Sequence, residues 1–588
     1  MQTMPHIRKL SYVRKAVAIC LAMAVASCAS NSPKTTDNVT LSVIGTNDVH
    51  GQLLPGRFSG GMDVFSGYLN AVRSARQLDD GGFLLIDAGD MWQGTLESNL
   101  SEGSVMVETY NALGYDAATI GNHEFDFGPV GERSTPSSPT EDPRGAIKAR
   151  ATEADFPLLA ANLIDSSTGR AVNWPNVQPS IMVNAAGVKV GIIGVMTSGA
   201  LAATIAANVG GLSVAPLAEM IEQEARELRE QGAKVIIVTA HAGGSCGNFD
   251  DPYDLSSCNP DDEIMRVARA LPKGLVDQMI AGHHHRGIAH FVNGIAVTAS
   301  YSSGRSFGRV DYTLDRNSGE VLKRNIFPPR RICPFIETVS GKCAWVNDPE
   351  KSLNVATYEN RDVTADPKIT AILDRARSKA QELKARKLGV YLATPLTLEN
   401  RPEAALGHLM TDALLETSTA DVSLHNVSGG IRANLTAGEL TFGKVYQMFP
   451  FDNRVVLLNL TGADMRKVIA KQAHKEEKRA GFSGMSAYVQ CDNNQMKVTL
   501  RRKDGSEIYD TDVVKLAVND FLALGGDNIL SPVLPENGFA YPSDTPLARD
   551  MVVKWLTEKG GTLTADQFLG EQNRRWHMPD SIPSDCKL

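Results

Sequence analysis

Short apolar runs that end abruptly in polar residues recur through the first 300 positions. VTLSVIGTNDVHG, GFLLIDAGDMWQG, KVIIVTAHAGG and VDQMIAGHHH each read as a strand feeding a polar turn. Between them lie segments of helical period, such as PLAEMIEQEARELREQG, and the amphipathic run VMVETYNALGYDAAT leads into IGNHEFDFG. Strands alternating with helices predict an α/β layered domain over residues 39–325, with its functional residues at strand C-terminal ends. Residues 326–389 read as a structured linker: NIFPPRRICPFIETVSGKCAWVNDP is rich in proline and weakly periodic. It is followed by DPKITAILDRARSKAQELKARKLG, a single helix capped by Asp366, basic in its last turn and closed by Gly389. From 390 to 588 strands and helices mix again, in GHLMTDALLE, ADVSLHNVSGGIR, KVYQMFPFDNRVVLLNL and VVKLAVNDFLALGGD, which predicts a second α/β domain with a tail.

Composition adds limits. A chain of 588 residues exceeds one hydrophobic core, and 43% hydrophobic with 21% charged residues supports sizeable cores. The net charge of -8 and the lack of a long basic block argue against a polynucleotide partner, leaving a small anionic substrate open. Residues 1–27 have the parts of a signal peptide: Arg8, Lys9, Arg14 and Lys15, then an apolar run from Ala16 to Ala26, then VASC. That run is too short to stay as a membrane span. VASC resembles the bacterial lipobox, which makes Cys28 a lipidation site, residues 28–38 a flexible tether, and the membrane a partner through a lipid anchor; a plain secretory signal is the alternative. Either way the protein is expected outside the cytoplasm, in the periplasm or cell envelope, and with acylation anchored to the outer membrane. Cys246, Cys258, Cys333, Cys343, Cys491 and Cys586 remain, an even number suited to an oxidising compartment. Pairing near neighbours joins 246 to 258 and 333 to 343 and leaves 491 with 586, although spacing alone does not fix connectivity.

Five of the polar turns carry metal-ligand chemistry. Asp48 and His50 follow the first strand, Asp87 and Asp90 the second, Asn122 and His123 the third; His241 ends another, and His283, His284 and His285 follow MIAG. One such cluster could be a solvated loop, but five at equivalent topological positions point to a common site. Carboxylate and imidazole donors without cysteine suit two divalent metal ions such as zinc, manganese or cobalt. A carboxylate-bridged pair, about 3.5 to 4 Å apart, activates a water and clamps both oxygens of an in-line phosphoryl displacement.

In this order, TNDVHG, DAGDMWQG, GNHEFDFG, HAGG and AGHHH resemble the five blocks of the calcineurin-like metallophosphoesterases, and within them the exported 5'-nucleotidase and UDP-sugar hydrolase family. The resemblance implies a four-layer α/β/β/α sandwich, a linker helix and a second, nucleotide-binding α/β domain. It assigns one metal to Asp48, His50, Asp90 and His285, and the other to Asn122, His241 and His283, with Asp90 rather than Asp87 bridging. His123 becomes catalytic, with Asp126 orienting it and holding its protonated form. Glu124 receives no role and is expected to be solvated, and His284 is expected to be a bystander.

The second domain carries the substrate expectations. By the same resemblance Phe451 and Phe521 clamp a nucleobase and Asp527 contacts ribose hydroxyls; two aromatic faces grip any base. SGGIR offers Gly429 and Gly430 for close backbone approach and Arg432 for phosphate. Arg401 and Asn426 are further candidates, each displaced by one residue from the family's usual arginine and asparagine. The expected activity is removal of phosphate from nucleoside 5'-monophosphates by a metal-dependent hydrolase with a nucleotide as its partner and no obligate protein partner. UDP-sugars, NAD or 2',3'-cyclic nucleotides are alternative substrates of the same site, and a non-catalytic nucleotide-binding lipoprotein is the alternative of a different class.

Overall fold

The structure, a computed structural model, describes residues 37–588 apart from 57, 132, 346–350, 399–402, 476–478, 536–537, 540–544 and 580. The expected signal peptide, Cys28 and Arg401 lie outside the described residues. No described helix is long and apolar enough to cross a membrane.

In chain order the first part contains β1 (Asn38–Thr46), α1 (Met62–Leu78), β2 (Gly82–Asp87), α2 (Ser104–Leu113), β3 (Ala117–Thr119), β4 (Leu158–Leu159), β5 (Val177–Gln178), β6 (Ser180–Ala185) and β7 (Val188–Met196). Then come α3 (Leu217–Glu230), β8 (Val235–His241), α4 (Glu263–Ala270), β9 (Gln278–Ala281), β10 (Gly287–Val292), β11 (Ile295–Ser300), β12 (Ser306–Asp315) and β13 (Val321–Arg331). They form a seven-stranded sheet, β13-β12-β1-β2-β3-β4-β5, and a six-stranded sheet, β10-β11-β9-β8-β7-β6. β1 runs parallel to β2 and antiparallel to β12, and β9, β8 and β7 run parallel to one another. Val43, Ile86, Ile192, Ile237 and Ile280 share a core drawn from both sheets. That sandwiching explains the continuous apolar runs: every residue of β8, VIIVTAH, is buried. α1 and α2 cover one outer face, and α3 and α4 the other. In α3 the buried positions Leu217, Ile221, Ala225 and Leu228 fall on one stripe. The result is the expected four-layer α/β/β/α sandwich.

α5 (Pro367–Ala385) starts where expected. Asp366 accepts the Lys368 N–H at 2.8 Å, and Pro367 occupies the first turn, where no N–H is needed. Ile369, Leu373 and Ala376 join the core of α1 and α2, whereas Ala380 joins the next domain's core. Gly389 does not close this helix, which ends at Ala385 with Arg386 as its cap. It lies inside the following strand, β14 (Lys387–Leu392), at φ 72°, where the register against Gly438–Thr441 shifts. The second domain continues through α6 (Ala405–Glu416), β15 (Val422–His425), α7 (Phe442–Met448), β16 (Val455–Thr461), α8 (Gly462–Ala473), β17 (Gly481–Ser483), β18 (Met485–Asp492), β19 (Gln495–Arg502), β20 (Val513–Asn519) and α9 (Ala548–Lys559). Its central sheet has the order β16-β20-β15-β17. β13 spans the boundary expected at 325, and β14 the one expected at 389.

Three disulfides, Cys246–Cys258, Cys333–Cys343 and Cys491–Cys586, follow near-neighbour pairing.

Candidate metal centre and substrate cleft

All seven expected ligands come together where β1, β2, β3, β8 and β9 end. Asp48, His50 and His285 bring donor atoms within 4.8 Å of one another, and so do Asp90, His241 and His283. Asp90 sits between the groups, its Oδ2 3.2 Å from His241 Nε2 and 3.8 Å from His50 Nε2. Asn122 completes the second group, with Oδ1 3.0 Å from His241 Nε2 and 3.1 Å from His283 Nδ1. Asp48, His50, Asp90, His283 and His285 all have φ between 50° and 71°. Such left-handed backbone is costly outside glycine, and its concentration here marks loops held in place by their surroundings. Gly89 is needed for a second reason: at φ 84°, a Cβ there would stand 2.8 Å from Gly121 N and 3.0 Å from His241 Nδ1.

The donor set fits two cations. His241 Nδ1 donates to Ala88 O at 2.8 Å and His50 Nδ1 to Gln93 O at 3.0 Å, which leaves each Nε2 as the ligand atom. These nitrogens converge on other acceptors, His285 Nε2 at 3.1 Å from His50 and Asn122 Oδ1 beside His241, an arrangement that a cation resolves. The charges agree. Burial would raise Asp48, yet the neighbouring His285 brings it to about 2; burial would lower His241, yet Asp90 lifts it to about 10. Burial and the neighbouring His241 bring His283 down to about 3, so the imidazoles of the centre do not all carry charge together.

Asp87 is not among the grouped donors. It is buried, accepts from Thr46 Oγ1 at 2.6 Å and Tyr110 OH at 3.1 Å, and burial pushes it up to about 7. Glu124 is not solvated, contrary to expectation. It is 1% exposed and accepts backbone N–H bonds from Asp90 (2.8 Å), Met91 (2.7 Å) and Gly121 (2.6 Å), tying two ligand-bearing loops together. His284 stands at the rim with a 44% exposed side chain.

His123 lies beside the metal ligands, its N–H bonded to Asp90 Oδ1 at 2.9 Å. Its Nδ1 is 2.6 Å from Asp126 Oδ2, and Thr204 Oγ1 donates to the other Asp126 oxygen at 3.0 Å. Burial alone would lower the His123 pKa, but Asp126 and Asp90 raise it overall. Its Nε2 accepts from Arg432 Nη2 at 3.2 Å, so a residue of the second domain reaches the first domain's chemistry.

A cavity of about 390 Å³ joins the two, a volume suited to a small molecule. The first domain lines it with Asp90, Asn122, His123, His283 and His285, the second with Gly429, Gly430, Arg432, Phe451, Phe521 and Asp527. Phe451 stacks on His123 with centroids 5.8 Å apart, and the Arg432 guanidinium lies 5.3 Å from its ring. Asn426 donates to Asp527 Oδ2 at 2.7 Å and accepts from Asn519 at 3.1 Å, so it supports the acid despite its one-residue displacement. Gly430 is required by crowding, since a Cβ there would meet Asn426 O at 2.3 Å.

Three residues escaped sequence reasoning. Gln93 donates to Pro450 O at 3.2 Å, Asn99 donates to Tyr446 OH at 2.9 Å, and Thr204 bonds Asp126. Gln93 had a signal, standing inside DAGDMWQG, but Thr204 sits in the apolar stretch ALAATIAANVG, where nothing marks it.

Residues 387–535 match the family model "5'-nucleotidase, C-terminal domain". The cell wall protein Lmo0130 of Listeria monocytogenes is 25% identical over 560 residues, covering 88% of this chain and 68% of that protein. Protein UshA of Yersinia enterocolitica is 24% identical over 590 residues, covering 95% and 98%. The fold matches the crystal structure of a 5'-nucleotidase precursor from Thermus thermophilus with a TM-score of 0.68 at 21% identity, over 92% of this chain and 100% of that one. Over residues 387–535 the chain is therefore similar to the 5'-nucleotidase C-terminal domain, and its two-domain fold is that of the solved 5'-nucleotidase precursor.

Proposed function

We propose that the protein is a metal-dependent phosphohydrolase that removes phosphate from nucleoside 5'-monophosphates. The observation that carries this reading is the shared cavity, with metal ligands and the His123–Asp126 pair on one wall and two phenylalanines, an arginine and a carboxylate on the other. Its relatives include proteins named 5'-nucleotidase in Vibrio cholerae and Vibrio parahaemolyticus. Asp48, His50, Asp90 and His285 would hold one ion, and Asp90, Asn122, His241 and His283 the other; zinc, manganese and cobalt all suit these donors. Bound there, the ions supply Lewis acidity toward the phosphoryl group and a water activated near neutral pH.

The chain's own residues supply the rest. Arg432 presents a planar fork to the phosphate oxygens. Freed of that contact, His123 Nε2 takes up a proton from solvent and passes it to the departing O5', while Asp126 holds the imidazolium from Nδ1. Phe451 and Phe521 grip the base by its faces, which makes the site tolerant of base identity, and Asp527 accepts from the ribose hydroxyls. The first domain is assigned to residues 39–325 and the substrate domain to 390–588, joined by 326–389. Residues 1–27 serve as the export signal and Cys28 as the acylated anchor to the cell envelope, a location that the three disulfides support.

The test is phosphate release from AMP, beside UDP-glucose, NAD and 2',3'-cyclic AMP followed by chromatography. Turnover on AMP should vanish with chelation and fall about 10²- to 10⁴-fold in His123→Ala. A preference for the diester or pyrophosphates would change the substrate; no turnover on any, with metals bound, would remove the enzyme reading.

A further inference from the structure

The His123–Asp126 pair is braced from a part of the chain that bears none of the recognisable blocks. After β7, a short 3-10 turn, Ala200–Ala203, runs into Thr204. Thr204 is 4% exposed, and its hydroxyl donates to Asp126 Oδ1 at 3.0 Å. The other carboxylate oxygen faces His123 Nδ1 at 2.6 Å, so both oxygens of Asp126 have a fixed partner. The preceding residue acts on the metal side, because Ala203 O accepts from Asn122 Nδ2 at 3.0 Å, which turns Asn122 Oδ1 toward His241 and His283. Two consecutive residues leaving the six-stranded sheet thus hold a metal ligand and the acid of the pair, both of which follow β3 of the other sheet.

We infer that Thr204 is a positioning residue for proton delivery to the leaving group: it fixes the rotation of Asp126 and so the aim of the His123 imidazole. The inference rests on the phosphomonoester reading above. A carboxylate with one free oxygen can swing about its terminal torsion, and the imidazole it holds swings with it. Transfer to a departing oxygen depends steeply on that aim, since misplacement of about 1 Å can cost up to about 10²-fold. Thr204 lines the edge of the cavity, but its hydroxyl is committed to Asp126, so its removal is expected to act where a proton must move rather than on binding.

Two variants isolate the hydroxyl. Thr204→Val keeps the volume and the β-branched side chain that suits this extended backbone, and Thr204→Ser restores the donor. On AMP, whose nucleoside alkoxide is a poor leaving group, Thr204→Val is expected to lower kcat about tenfold with KM unchanged, and Thr204→Ser to restore it. On 4-nitrophenyl phosphate, whose leaving group departs without a proton, the loss should be under about twofold. In an Asp126→Asn background Thr204→Val should add no further loss, as expected for residues acting as one unit. Equal losses on both ester types, or full AMP turnover in Thr204→Val, would overturn the inference. A readout free of turnover separates it from the functional reading: the downfield N–H proton resonance of His123, assigned by its loss in His123→Ala, should broaden in Thr204→Val and sharpen again in Thr204→Ser. Wild-type protein inert on AMP would sink the nucleotidase reading, while an unaltered His123 resonance in Thr204→Val would sink the brace.

Discussion

The Glu124 carboxylate accepts from Asp90 and Met91 on the loop after β2 and from Gly121 on the loop after β3. Its three acceptor bonds set the spacing between Asp90 and Asn122 through backbone N–H groups, without meeting either side chain. Glu124→Gln turns one of those acceptor positions into an NH2 that faces an N–H donor, so the loops part. Divalent-ion affinity, measured by calorimetry on chelator-stripped protein, is expected to fall about tenfold or more; unchanged affinity would show that the ligands hold their own spacing. Asp87 gives the pH test. Burial raises its pKa to about 7, so above the ordinary carboxylate range and up to that value the folded chain keeps a proton that the unfolded chain has released. This stabilisation is full below the unfolded pKa and is lost as pH rises through about 7. Thermal melts of stripped protein should show the wild type's advantage over Asp87→Asn shrinking from pH 4 to pH 8, by at most about 4 kcal/mol; a constant difference would mean that Asp87 is already ionised at pH 4. The grouping of the expected ligand residues was legible because each stands where a strand stops. Glu124 was not, because its burial arises only when two turns, with Glu124 and Asp90 34 residues apart in sequence, fold against each other, and one polar turn looks like another until then.

At the level of elements, apolar runs and caps carried the reading. β8 shows every residue buried, as its unbroken VIIVTA predicts, and α5 begins at Asp366 as its cap predicts. Gly389 misled because a left-handed glycine ends a helix or kinks a strand equally well, and only the pairing of β14 distinguishes the two. The disulfides stabilise elements unequally. Cys491–Cys586 closes a separation of 95 residues, pinning β18 to the tail, whereas Cys333–Cys343 closes 10. In the chain-entropy account these are worth about 5 and about 3 kcal/mol. Urea unfolding of the paired serine variants should therefore rank Cys491→Ser with Cys586→Ser as the more damaging, and the reverse order would place the effect in the folded state's contacts.

Across the whole molecule, the cleft depends on two bodies meeting, and α5 is built into both cores. The turn after the Asp90 loop adds its own ties: Leu96 enters the second domain's core, Glu97 pairs with Lys384 at 2.6 Å, and Gln93 bonds Pro450 O next to Phe451. Only Gln93, inside DAGDMWQG, carried any signal, and none of the contacts was legible, since contacts between distant segments leave no periodicity behind. Division of labour between the bodies gives a further expectation. Phe521 packs against Gly526 on the second domain, lining the cleft as part of its substrate wall. Phe521→Ala should raise KM for AMP about tenfold while leaving 4-nitrophenyl phosphate turnover unchanged; equal losses on both would mean that the ring supports the fold rather than the base. The disulfide pattern also bears on how the molecule is made. Each of the six described cysteines is bonded to its immediate neighbour along the chain, 246 to 258, 333 to 343, 491 to 586. Among these six, a chain oxidised in the order in which it emerges into a thiol-oxidising compartment thus meets each native partner next, and the second domain receives its covalent closure last of all.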